Sequence, residues 1–256
     1  SARFSLGTSD YFVKWNDAEK YPLMFECEAK GLKELQKSDC IRIPEVKFVG
    51  EQEVESFLIL ELIEQGARSS NYFEKFGEQL AMMHRNTNDY FGLDHNNYIG
   101  SLHQNNTPTE TWAEFFVVHR LEEQLRMARD NRQIDAYLSN GFKHLFNKLE
   151  NLFPEEAPAL LHGDLWGGNQ MPDEKGNPCI YDPAVYYGHR EMDLAMSKLF
   201  GGFSPEFYKS YHRAFPLEDG WEERVDLCNL YPLLVHVNLF GGGYVEQVRN
   251  ILRYFT

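Results

Sequence analysis

The chain has 256 residues, 43% hydrophobic and 25% charged, which suits one compact unit or two packed lobes and excludes a fibrous repeat or a disordered tail. Lysine and arginine total 25 against 39 aspartates and glutamates, and the net charge of -14 repels a nucleic-acid backbone or an anionic membrane wherever no basic patch overrides it. No apolar run approaches the ~20 residues that a bilayer crossing needs, and the opening stretch is too polar for a secretory core, so a cytoplasmic protein is expected, with neither nucleic acid nor membrane as partner. Cys27, Cys40, Cys179 and Cys228 lie far apart with no CxxC pair, which suggests neither a zinc site nor a disulfide framework.

In chain order, Arg3 to Leu6 and Tyr11 to Trp15 flank the turn Gly7-Thr8-Ser9-Asp10 and predict an antiparallel hairpin. Phe25, Ala29, Leu32 and Leu35 then recur at helical spacing among charged residues and predict an amphipathic helix over Leu23 to Leu35. Val46 to Val49 and Ser56 to Leu60 read as two further strands, which completes a small strand-rich lobe over residues 1–63. From Glu64 the character changes. Phe73, Phe76, Gly77, Leu80 and Met83 mark one helix, and Trp112, Phe115, Phe116 and His119 mark another at i, i+3, i+4, i+7, so residues 64–256 form a larger, mainly helical lobe. One island interrupts it: Ala159 to Leu161, then HGDLWGGN, then Gln170-Met171, a turn over Asp173 to Asn177, and the apolar strand Cys179 to Tyr181, together a short hairpin among helices.

That island carries the strongest chemical signal. In His162 to Asn169 an acid leaving a strand, Asp164, is followed five positions later by Asn169, and thirteen beyond that Asp182 ends the next strand. Phosphoryl transfer needs this set: one carboxylate to take the acceptor hydroxyl's proton, and an amide oxygen and a second carboxylate to hold magnesium against the phosphates of ATP. Asp164 is the candidate proton acceptor and Asn169 and Asp182 the candidate ligands. A chance match to H-G-D-x-x-x-x-N in a chain this long is on the order of one in a thousand. As isolated residues these are also good turn formers and caps; their order and spacing favour chemistry.

A phosphate site also requires a cation. Lys14 lies in the strand Tyr11 to Trp15, and Glu28, on the following helix with apolar Leu32 at i+4, is placed to face the sheet and orient Lys14 by an ion pair. The run Leu58 to Ile63 ends the small lobe and offers the backbone of Glu61 and Ile63 to an adenine edge, although a buried strand followed by a loop predicts the same residues.

The segment LLHGDLWGGNQMPDEKGNPCIYDPAVYYGHREMDLAMSKLFGGF, with YFVKWN, MFECEAKGLKEL, WAEFFVVHRL and FGGGY elsewhere, closely resembles the fructosamine-3-kinase (ketosamine-3-kinase) family over nearly the whole chain. That family is a branch of the aminoglycoside-phosphotransferase-like group. The resemblance implies an α+β, two-lobed protein-kinase-like fold: a small antiparallel sheet with one helix, and a larger helical lobe. It implies ATP-dependent phosphorylation of the 3-hydroxyl of ketosamines, free or on the lysines of glycated proteins, to unstable products whose breakdown amounts to deglycation. By the same resemblance Asp164 is the base, Asn169 and Asp182 bind Mg2+, Lys14 and Glu28 form the nucleotide ion pair, and His162 and Asp193 support the catalytic loop. Trp166 would face the sugar ring, and Tyr187 and His189 would reach its hydroxyls. A monomer is expected.

Two departures stand out. The family's glycine-rich phosphate segment should precede the strand Ala2 to Leu6, whereas this sequence begins at Ser1, and Asp182 is followed by Pro183-Ala184 in place of the Phe-Gly of protein kinases, with no A-P-E segment, so no phosphorylation-gated loop is expected. Other small-molecule kinases of the same fold, acting on an aminoglycoside, choline or homoserine, and a catalytically silent scaffold remain the alternatives.

Overall fold

The computed structural model describes residues 1–255. β1 (Ala2–Leu6) and β2 (Ser9–Asp17) pair antiparallel around Gly7, whose φ of 64° suits a residue without a Cβ. β3 (Val46–Gln52) and β4 (Glu55–Glu61) form a second hairpin, and β2 lies against β4 with Lys14 opposite Leu58, giving the sheet order β1-β2-β4-β3. α1 (Met24–Lys37) buries Phe25, Ala29, Leu32 and Leu35, the stripe predicted from the sequence. Alternation along β4 points Leu58 and Leu60 at the same core.

The rest is mostly helical. α2 (Tyr72–His84) packs along α7 (Pro205–Ala214) so closely that a Cβ on Gly77 would collide with the Phe207 carbonyl. α3 (Trp112–Phe115) and α4 (Glu123–Asp130) are joined by a π-helical segment, Phe116–Glu122, and α5 (Ala136–Phe146) follows. The last lobe elements are α6 (Glu191–Leu199), α8 (Trp221–Phe240) and α9 (Tyr244–Leu252). A hairpin with no sequence signal, β5 (Asn97–Ile99) and β6 (Leu102–Gln104), packs beside α1.

The island after residue 158 differs in one respect from the sequence reading. β8 (Gln170–Pro172) and β9 (Pro178–Ile180) do form a hairpin, closed by Asp173, whose Oδ1 accepts the N–H groups of Lys175 and Asn177. β7 (Ala159–Leu161), however, pairs with β10 (Tyr186–Gly188), a strand beyond Asp182. The loops at 162–169 and 181–185 therefore leave one small sheet together, which brings two distant acids to the same end of it. Among the described residues no helix is long and apolar enough to cross a membrane, and all four cysteines are free.

Candidate active site

The loop after β7 is held by its backbone. Asp193, in the first turn of α6 and 1% exposed, accepts the N–H of His162 at 2.7 Å and of Gly163 at 2.9 Å, one on each carboxylate oxygen. His84 Nε2 meets the same carboxylate at 3.2 Å, and His84 Nδ1 meets the Tyr211 hydroxyl at 2.8 Å. Gly163 adopts φ 82°, and a Cβ there would run into the Ala184 carbonyl, so the two loops touch at a position only glycine fits. The buried His162 ring fixes its own tautomer. Nε2 lies 3.0 Å from the Tyr181 carbonyl and must donate, which leaves Nδ1 to accept the N–H of Asp164 at 3.3 Å. Burial lowers its pKa, as a neutral ring in this role requires.

Asp164 lies next to this clamp. Asn169 Nδ2 donates to its carbonyl at 2.9 Å and to Oδ2 at 2.8 Å, so the amide is oriented with its nitrogen toward Asp164, and no protein donor among the described residues reaches its oxygen. Burial lifts the Asp164 carboxyl to about 7, against the opposing pull of the Asn169 bond and with added repulsion from Asp182 and Asp193. Asp182 sits at φ 55°, a left-handed conformation that aspartate tolerates better than most residues. Its Oδ1 lies 3.0 Å from Lys14 Nζ. Lys14 in turn donates to both oxygens of Glu28 at 2.7 Å. Burial pulls the Lys14 pKa down, but the charges of Glu28 and Asp182 outweigh it and the net shift is upward, so the ammonium persists.

These groups line one cavity of about 530 Å³ between the sheet and the catalytic loop, where Lys14, Glu28, Asp164, Trp166, Asn169 and Asp182 all appear. Four other candidates stand elsewhere. The Glu61 N–H donates to the Glu45 carbonyl and its carboxylate pairs with Arg42, Ile63 is buried, and neither lines the cavity. Tyr187 turns its hydroxyl to Glu34 at 3.0 Å while its backbone pairs with Gly92, again outside the cavity. His189 cannot touch an acceptor: it is 0% exposed, with its ring centroid 5.1 Å from Phe153 and 6.0 Å from Trp112. The sequence reading missed Asn97, which enters the cavity wall from β5, and His84, whose signal was a titratable ring on the buried stripe of α2.

A small sheet and its packed helix, joined by a Lys–Glu pair, over a helical lobe whose loops present an Asp, an Asn and a second Asp define the class of protein-kinase-like phosphotransferases. At the level of fold alone, the solved choline kinase of Streptococcus pneumoniae is similar, with a TM-score of 0.63 at 14% identity, over 98% of this chain and 87% of that one. Within that class the chain belongs to the fructosamine kinase family, whose model matches residues 1–255, and it is an ATP-dependent kinase. It is 40% identical to a "Probable ketoamine kinase" of Enterococcus faecium over 96% of this chain and 87% of that protein. It is 39% identical to the chloroplastic protein-ribulosamine 3-kinase of Arabidopsis thaliana, over 98% of this chain and 78% of the relative. The crystal structure of a Haemophilus somnus protein assigned as a fructosamine-3-kinase matches with a TM-score of 0.88 at 31% identity, over 97% of this chain and 84% of that one.

Proposed function

We propose that the protein transfers the γ-phosphoryl group of ATP to the sugar 3-hydroxyl of a ketosamine, the adduct of a reducing sugar with an amine, with Asp164 accepting the hydroxyl proton. Phosphate then sits on the carbon beside the C2 carbonyl, from which it can leave by elimination, freeing the amine after hydrolysis. Asp164 carries this role because its carboxyl lines the cavity, held by Asn169, and a carboxyl raised to about 7 is a stronger base than an ordinary aspartate while still ionised in part near neutral pH. Lys14, fixed by Glu28, binds phosphate oxygens. Asn169 and Asp182 suit magnesium: an amide oxygen free of protein donors and a carboxylate are hard donors, and magnesium binds through one or two such groups plus substrate phosphates. When bound, the ion neutralises charge on the β- and γ-phosphates. His162 and Asp193 hold the loop, and the face of Trp166, on the cavity wall, packs against the sugar.

The observation that carries this reading is the convergence of Asp164, Asn169, Asp182 and the Lys14–Glu28 pair on one cavity. ATP consumption with a panel of a fructosamine, a ribulosamine, an aminoglycoside and choline tests it, with phosphorus NMR to place the phosphate. Turnover of a ketosamine with phosphate on O3 is expected, as is a loss of at least ~100-fold in Asp164→Ala. Turnover of the aminoglycoside alone would overturn the acceptor assignment.

A further inference from the structure

A second cavity, about 460 Å³, shares Gly100, Asp164 and Trp166 with the first and draws its remaining walls from the end of β5, from α6 and Phe200 just beyond it, and from α8 and α9. None of the roles assigned above uses α8 or α9, and the cavity takes Met196, not Asp193, from α6. The cavity is ringed by aromatic side chains in sequence: Trp166 to Phe200 at 5.9 Å between centroids, Phe200 to His236 at 4.8 Å, His236 to Tyr244 at 5.0 Å and His236 to Phe240 at 5.5 Å. Phe240 is 69% exposed, a large apolar surface left in water at the rim. Among the described residues lining this cavity, Asp164 is the sole acid. His236 Nδ1 lies 2.7 Å from the Pro232 carbonyl and therefore donates to it, so the neutral ring keeps a lone pair on Nε2.

We propose that this aromatic cavity is the amine subsite, taking the protonated secondary nitrogen of the ketosamine and its alkyl continuation by cation–π contact with the rings and by the His236 Nε2 lone pair. The inference rests on the ketosamine reading above. With the 3-hydroxyl at Asp164, the nitrogen is three bonds from C3 and must leave through one of the two cavities that Asp164 lines. On the ketosamine reading the first is filled by the triphosphate, whose cation, Lys14, is already paired with Glu28 and Asp182. The second offers aromatic rings and no lysine or arginine, and Phe240 lines it beyond α8's His236, where an alkyl continuation of the lysine type would lie. A cation over an aromatic face is worth about 0.5–2 kcal/mol, or roughly 2- to 30-fold in affinity.

The test compares two acceptors that differ only in that nitrogen: a 1-deoxy-1-alkylamino-fructose and the 1-O-alkyl ether of fructose with the same chain. The native enzyme should favour the amine in kcat/KM by roughly 10-fold. In Phe240→Leu, and more so with Tyr244→Leu added, the amine-to-ether ratio should fall toward one, while thermal melting verifies the fold. A ratio unchanged in these variants, or an equal preference in the native enzyme, would overturn the subsite and leave the kinase reading standing. Turnover of neither compound would instead overturn the ketosamine reading, and the subsite with it.

Discussion

Asp164 illustrates how a group suited to proton transfer weakens the fold that holds it. Its carboxyl titrates near 7 in the folded protein, against about 3.8 in the open chain, chiefly because it is buried. The folded state thus holds the proton more tightly: stability is fully present below about pH 4, falls as pH rises from about 4 to about 7, and is level above that. Asp164→Asn removes the dependence. In chelator and without nucleotide, the variant should melt at the same temperature as the native protein at pH 4 and on the order of 5 °C higher at pH 8, since a three-unit shift is worth at most ~4 kcal/mol and partial exposure at the cavity wall reduces it. A difference that stays constant across that range in calorimetry would refute burial as the cause. The same scale shows what a sequence can reveal. Asp164, Asn169 and Asp182 were legible because two short loops fix their spacing, and Lys14 with Glu28 because strand and helix order face them toward each other. His189 misled because a histidine following a strand looks the same whether it faces a cavity or, as here, lies sealed between Phe153 and Trp112.

Elements show the same division for a different reason. The periodicity of Trp112, Phe115, Phe116 and His119 predicted a regular helix with His119 inside, but the π-helical turn at Phe116–Glu122 adds a residue to the turn and carries Arg120 inward in its place. Arg120 is fully buried, stacked 4.0 Å from the Tyr186 ring centroid, and donates to the Asn105 carbonyl at 2.6 Å and Asn106 Oδ1 at 2.7 Å. Asn106 and Gln104 both donate to Asn97 Oδ1, and Asn97 Nδ2 donates to the Val185 carbonyl at 2.8 Å, three residues past Asp182. The unpredicted β5–β6 hairpin thereby ties the rim of the cavity to the loop that positions Asp182. Asn97→Leu would take one of two hydrogen bonds from each of the Gln104 and Asn106 amides, which keep the Ala184 and His95 carbonyls, and would remove the donor to the buried Val185 carbonyl, a cost of about 2–4 kcal/mol. It should lower the midpoint of urea unfolding markedly, whereas Tyr98→Phe, one position along and losing only a partly exposed bond to the Pro22 carbonyl, should stay within ~1 kcal/mol. Equal effects would mean that the polar cluster does not hold the loop. No sequence pattern announces such a cluster, since Asn and Gln in short segments are as common in solvated turns.

Across the whole molecule, the sheet lobe and the helical lobe share an apolar core. Phe25 and Leu32 of α1 and Leu58 of β4 belong to the same buried cluster as Phe76 and Leu80 of α2, Leu160 of β7, Ile180 of β9, and Leu165, the residue between Asp164 and Trp166. Composition located a change of character near Glu64 but could not show this continuity, because an apolar residue declares that it is buried and not what it is buried against. A shared core predicts one cooperative transition, in which far-UV circular dichroism and tryptophan fluorescence fall on one curve, Trp15 reporting from the sheet and Trp112 and Trp221 from the helices. The proposed nucleotide site spans the same boundary, with Lys14 on β2 and Asp182 beyond β9. Magnesium and ATP at about 100 times their dissociation constant should therefore raise the entire transition by ~2.7 kcal/mol, not one limb of a split curve. Asp182→Asn should remove the magnesium-dependent part of that gain while keeping a single transition. Two separable unfolding steps, of which nucleotide moves only one, would show that the lobes melt independently and that the common core contributes little to holding the site together.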